Sequence, residues 1–106
     1  LGEGAEINSK DKLGRTPLHW AAEKGHLSVA KFLIQKGSEV NATDNEGETP
    51  MHDAAQWGKR SIVELLISCK ADIHAKGSDG RAPMHIAIAN GNSDITDLLK
   101  NHGALL

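Results

Sequence analysis

The residues of this 106-residue chain whose types could do chemistry are six histidines, one cysteine and the adjacent pair His52-Asp53. His19, His52 and His85 recur at a fixed spacing of 33. If that spacing marks stacked units, successive imidazoles stand about one helix-packing distance apart, roughly 8–10 Å. Zinc needs ligand bonds of about 2 Å, so two such histidines cannot share one ion. Each imidazole is expected instead to hydrogen-bond a neighbouring turn backbone or the Thr at a helix start. His26, His74 and His102 fall at helix ends or in loops, and no two histidines stand four apart on one helix. Cys69 has neither a nearby base nor a nucleophile motif and reads as a half-buried, inert thiol. His52 and Asp53 are neighbours, and adjacent helical residues do not face each other. Gly2 and Gly4 lack the preceding strand and the Lys-Ser/Thr of a phosphate loop. The residues predict no catalysis, no cofactor and no metal site.

Composition narrows the classes further. With 39% apolar and 25% charged residues the chain can build a modest core, and disorder is not indicated. Lone Cys69 excludes an internal disulfide and fits a reducing compartment, the cytoplasm or the nucleus. No apolar run approaches the ~18 residues that span a bilayer, and no secretory signal opens the sequence. A net charge of −2 and only three aromatics (Trp20, Phe32, Trp57) argue against a nucleic-acid partner. Leu1 is not an initiator Met, so a fragment or a processed chain is expected.

The elements that position these residues come from self-comparison. Shifted by 33, the sequence aligns with itself without gaps: Gly14, Gly47 and Gly80 coincide, as do Pro17, Pro50 and Pro83, and Gly25, Gly58 and Gly91. Between 11–43 and 44–76, 12 of 33 positions are identical, where average composition gives about two. The expected organisation is a tail of a preceding repeat at 1–10, then repeats at 11–43, 44–76 and 77–106. Gly4-Ala5-Glu6-Ile7-Asn8 matches Gly37-Ser38-Glu39-Val40-Asn41, which identifies the tail.

Within each repeat the signals are alike. Asp, Asn and Gly at 11–15 and 44–48 predict a tight turn. Thr16-Pro17 and Thr49-Pro50 predict a capped helix start, because the hydroxyl accepts a free N–H and Pro gives up one without a partner. A short helix through Ala21-Ala22 or Ala54-Ala55 then ends at a left-handed Gly. The second helix carries an apolar stripe, Val29, Phe32 and Leu33 or Ile62, Leu65 and Leu66. Helices this short are unstable alone. Stability must come from stacking one repeat on the next.

Gly14-Arg15-Thr16-Pro17-Leu18-His19, Ala21-Ala22, Gly25-His26 and Gly37-Ser38-Glu39-Val40-Asn41-Ala42 resemble the ankyrin repeat. Thr49-Pro50-Met51-His52 repeats the signature, and Ala82-Pro83-Met84-His85 keeps it without the capping Thr. The resemblance covers the whole chain. It implies an all-α solenoid of helix–loop–helix units joined by β-turn fingers, and recognition of another protein or peptide on a concave face. Such repeats also occur as regulatory segments beside channel, kinase or transcription modules, or as engineered scaffolds. Irregular residues at Asp53, Cys69, Lys70, Gly77 and Ala82 favour a natural sequence.

By register with the family, the groove-facing positions are Lys12, Leu13, Arg15, Trp20, Glu23 and Lys24 in the first repeat. The second contributes Asn45, Glu46, Glu48, Asp53, Gln56 and Trp57, and the third Ser78, Asp79, Arg81, Ile86, Ala89 and Asn90. Asp53 is expected to lie partly open to solvent, since a carboxylate is a poor core residue. Trp57 is expected either as an exposed anchor or wedged against Asn90. The charge changes sign along the stack, +2 in the first repeat and −2 in the second, so a partner bearing both signs would be read in one direction. Leu33 with Glu39-Val40-Asn41-Ala42 resembles the pattern accepted by an asparaginyl hydroxylase, which implies Asn41 as a modification site. Lys100 and Asn101, where earlier repeats carry Ile34-Gln35 and Ile67-Ser68, predict a polar, cap-like third repeat. At the opposite end Ile7, Leu18 and Leu33 are expected to present apolar surface, with marginal stability or self-association through that end.

Overall fold

The computed structural model describes residues 7–104, so most of the expected 1–10 tail lies outside the described residues. Among these residues six helices form three pairs: α1 (Pro17–Lys24) with α2 (Leu27–Gln35), α3 (Pro50–Gln56) with α4 (Arg60–Ser68), and α5 (Pro83–Ala89) with α6 (Ser93–Asn101). Among the described residues there is no strand. α1, α3 and α5 stack in one row, and α2, α4 and α6 in the other. No helix among these residues is long and apolar enough to cross a membrane.

Every first helix begins on its Pro, as the sequence predicts. Thr16 N–H donates to His19 Nδ1 at 3.0 Å, and the His19 amide returns a bond to Thr16 Oγ1 at 3.4 Å. Thr49 N–H donates to His52 Nδ1 in the same way. At Ala82 only the backbone half survives, Ala82 N–H to His85 Nδ1, because a methyl group accepts nothing. Gly25, at φ 74°, closes α1 in the left-handed region. Past the second helices that region recurs at Gly37, Lys70 and Gly103; only Lys70, at φ 64°, has a side chain to strain there.

The core is small and continuous. Ala21, Ala22, Ala54 and Ala55 let the first-helix row approach closely, while Leu33, Leu66 and Leu99 fill the second row, all of them fully buried. Two expectations fail here. In the first pair's stripe only Leu33 is buried; Val29 and Phe32 are exposed, although the equivalent Ile62 is buried and Leu65 packs on the core. Likewise Ile7, Leu18 and Leu33 are buried rather than presented, and the apolar surface of that face is made by Trp20, Val29 and Phe32. Ile7 packs against the described core because its loop is held down. Asn8 accepts from Glu39 N–H at 2.8 Å and donates to the Gly37 carbonyl at 3.2 Å.

Candidate functional site

The turns before the first helices are built by one device. Asp44 Oδ1 accepts from the amides of Glu46 and Glu48, and Gly47 N–H donates to the Asp44 carbonyl. Asp11 holds the first finger identically through Leu13 and Arg15. In the third, Gly77 replaces that Asp, and Asp79 Oδ1 takes the Arg81 amide instead. Neighbouring fingers are tied by Asn45 N–H to the Leu13 carbonyl at 2.9 Å and Ser78 N–H to the Glu46 carbonyl at 2.7 Å.

The histidine ladder completes the frame. His19 Nε2 lies 2.9 Å from the Glu48 carbonyl, and His52 Nε2 lies 2.9 Å from the Arg81 carbonyl. A carbonyl only accepts, so each ring carries its proton on Nε2 and accepts the helix-start amide at Nδ1. Burial pushes both imidazoles below the ordinary histidine pKa, which keeps this neutral tautomer in place. His19 and His52 therefore join turns to neighbouring turns.

On this frame a cavity of about 510 Å³ opens between the first two fingers and the ends of α1 and α3. Its lining includes Leu13, Arg15, Glu23, Asp53, Gln56 and Trp57, with the second finger's Asn45, Glu46 and Glu48. Asp44, read from sequence only as a turn former, also lines it. Trp57 is 55% exposed and Leu13 64% exposed at its rim, so Trp57 is not wedged against Asn90, whose amide bonds the Ile86 carbonyl.

The floor of the cavity is an ion trio. Arg15 Nη1 lies 2.6 Å from Glu23 Oε1, and Nη2 lies 3.4 Å from Asp53 Oδ2 and 3.3 Å from the His19 carbonyl. The Asp53 side chain is 13% exposed, partly open to solvent with the Arg15 guanidinium beside it. Burial outweighs the guanidinium, whose shorter contact goes to Glu23, and Asp53 is pushed from 3.8 to about 7. Burial, then the charges of Asp44 and Glu46, also raise Glu48.

Other expected positions fall elsewhere. Trp20 is exposed on the outer face of the first pair, its ring tilted over His26 at 4.9 Å. Lys12 and Lys24 are exposed and do not line the cavity. Ser78, Asp79, Ala89 and Asn90 are exposed and Arg81 half-buried, outside it. Ile86 does not face the groove; at 2% exposed it is core, because this register position points back at the preceding helix pair. Asn41 is exposed, with Oδ1 accepting the Asp72 amide at 2.8 Å, a tie between successive loops. Asp44, Glu46 and Glu48 bring carboxylate oxygens within 4.8 Å of one another, and Asp44 Oδ1 also accepts the turn amides.

Sequence reasoning missed the trio, though a partial signal existed: Asp53 is the one carboxylate in a register otherwise held by Trp20 and Ile86, and Arg15 is a cation on the same groove.

Comparison with known proteins agrees with this architecture. A family model described as ankyrin repeats in three copies matches residues 1–77, and a single ankyrin-repeat model matches 79–105. Acyl-CoA-binding domain-containing protein 2 of Arabidopsis thaliana is 50% identical over 36 residues, 34% of this chain and 10% of that protein. Protein VAPYRIN-LIKE of Medicago truncatula is 61% identical over 31 residues, 29% of this chain and 7% of its own length. The 26S proteasome non-ATPase regulatory subunit 10 of Dictyostelium discoideum is 53% identical over 32 residues, 30% of this chain and 14% of that subunit. The chain thus spans about a tenth of the length of the relatives it matches. Ankyrin repeats are generally non-catalytic modules of protein interaction, and with its finger ladder, histidine ties and paired helices this chain belongs to the ankyrin-repeat family.

Proposed function

We propose that the chain is a protein-recognition module that holds a partner protein or peptide against the cavity between its first two fingers. The observation that carries this reading is the pairing of Trp57 and Leu13, both exposed, across a charged cavity on a hydrogen-bonded frame. Exposed tryptophan is the residue type most enriched among interface hot spots. The chain acts as a regulatory or structural segment of a larger, multidomain, cytoplasmic or nuclear protein; its matches to small parts of longer relatives support that context.

The test is comparative capture with quantitative mass spectrometry, using the parent, Trp57→Ala and Ser61→Ala on the exposed start of α4 as baits, followed by calorimetry with the purified candidate. A partner lost only with Trp57→Ala supports the reading. Equal binding to all three baits moves recognition off this groove.

A second association is favoured by Trp20, Val29 and Phe32, which leave the outer face of the first pair apolar. Two copies pairing through that face would give a concentration-dependent mass in sedimentation, abolished by Phe32→Glu. A monomer at all concentrations contradicts it.

A further inference from the structure

The cavity carries more negative charge than its own cation can balance. Its only cationic lining residue is Arg15, and both of its terminal nitrogens are already committed to Glu23, Asp53 and the His19 carbonyl. Asp44, Glu46 and Glu48 are left facing the same space, and among the described residues none of them has an ion-pair partner. An acidic finger alone would be a solvated turn. Here it borders a half-open cavity of about 510 Å³ whose rim carries an exposed indole and an exposed leucine.

Those features together select an occupant. A cation with an apolar stem is needed to lie along Trp57 and Leu13 and deliver its charge to Glu46 and Glu48. A planar guanidinium satisfies both demands, since it stacks on an indole face and donates paired N–H bonds to carboxylates. We infer that the cavity between the first two fingers is a receptor site for an arginine side chain presented by a partner protein. The inference rests on the groove reading above and adds the chemistry of the group that the groove takes.

Burial is the largest cause of the raised pKa values of Asp53 and Glu48, neighbouring carboxylates add to it, and an arriving cation would draw both back down. The Arg15 trio is then the floor that keeps the site from collapsing, and the second finger supplies the acceptors.

The chain contains two tryptophans, Trp20 outside the cavity and Trp57 at its rim, so their indole N–H signals report separately. The experiment titrates ¹⁵N-labelled protein with the tripeptide acetyl-Gly-Arg-Gly-amide and, in parallel, with its neutral citrulline counterpart. The site predicts a saturable shift of the Trp57 indole with the arginine peptide, none with citrulline, and a still Trp20. Glu48→Gln and Glu46→Gln should each weaken the apparent affinity about 2–5-fold, the range of exposed charge pairs. Neither side chain makes a hydrogen bond that holds a finger, so both variants keep the fold; an unchanged Trp20 signal checks this. Equal shifts with arginine and citrulline, no shift of Trp57, or parallel movement of Trp20 overturns the inference. If a captured partner is lost with Trp57→Ala while the arginine peptide leaves Trp57 unmoved, the groove stands and the arginine site falls. If the peptide binds but no partner depends on Trp57, the reverse holds.

Discussion

The two junctions between helix pairs share a frame and differ in what fills it. Both carry a histidine reaching to the next finger at 2.9 Å, and both carry a backbone bond between finger tips. At the first junction the register positions hold Arg15, Glu23 and Asp53; at the second they hold Glu48, Gln56 and Ile86. The first is an ion trio flooring an open cavity, and the second is sealed by a buried isoleucine. The repeat thus keeps one set of positions for folding and leaves another free for recognition, and the departures are where recognition is written.

The largest expected effect touches what the junctions share. Leu66 is fully buried in α4, between α2 and α6. Leu66→Ala should cost about 2–5 kcal/mol by leaving a cavity, with equal loss at pH 5 and pH 8 in urea denaturation. A pH-dependent loss would mean that the core and the trio are not separable.

The next effect isolates the first junction. Asp53 has a folded pKa of about 7 against an ordinary 3.8, so between those values the folded state holds the extra proton. Its contribution therefore declines as pH rises from about 4 to 7. Asp53→Asn, which keeps the shape and removes the charge, should stabilise by about 2 kcal/mol at pH 8. That is about half the full value of a three-unit displacement, given partial exposure and the nearby guanidinium. The advantage should vanish below about pH 4. His19 and His52 act oppositely: their lowered folded pKa values mean that stability is lost as pH falls below about 6.5. Asp53 protonation offsets part of that loss, so Asp53→Asn should show steeper acid sensitivity than the parent. Parallel pH profiles for the two proteins would remove the trio from the account.

Smaller still is the difference at the helix starts. Thr49→Ala should cost about 0.5–2 kcal/mol, and Ala82→Thr should stabilise by a similar amount by restoring the missing hydroxyl beside His85. Unchanged denaturation midpoints for both would show that the hydroxyl half of the cap contributes nothing.

The frame was legible in the sequence because it repeats. Thr-Pro, the histidines and the closing glycines each recur at the same offset, and local rules of turns and caps assign each of them a place. The junction-specific features were harder, since they depend on which pair covers which. Register alone placed Trp20, Asp53 and Ile86 on one open groove, yet that position points at the preceding pair. Ile86 is sealed and Trp20 stands on the outer face, while Asp53 alone of the three lines the cavity, beside Arg15. Exposure of Val29 and Phe32 escaped the periodicity for the same reason: a stripe is apolar in sequence whether or not a neighbour covers it. The trio joins residues 38 apart, beyond any local rule, and only the lone carboxylate at Asp53 hinted at it.

The account turns on Asp53 being a half-buried carboxylate held beside a shared guanidinium. The direct measurement is a carbon-detected NMR titration of the Asp53 side-chain carboxyl between pH 3 and pH 9. The predicted midpoint is about 7, far from that of an exposed aspartate. A midpoint near the ordinary 3.8 would mean that Arg15 and water neutralise the site fully, and the contrast between the two junctions would fail.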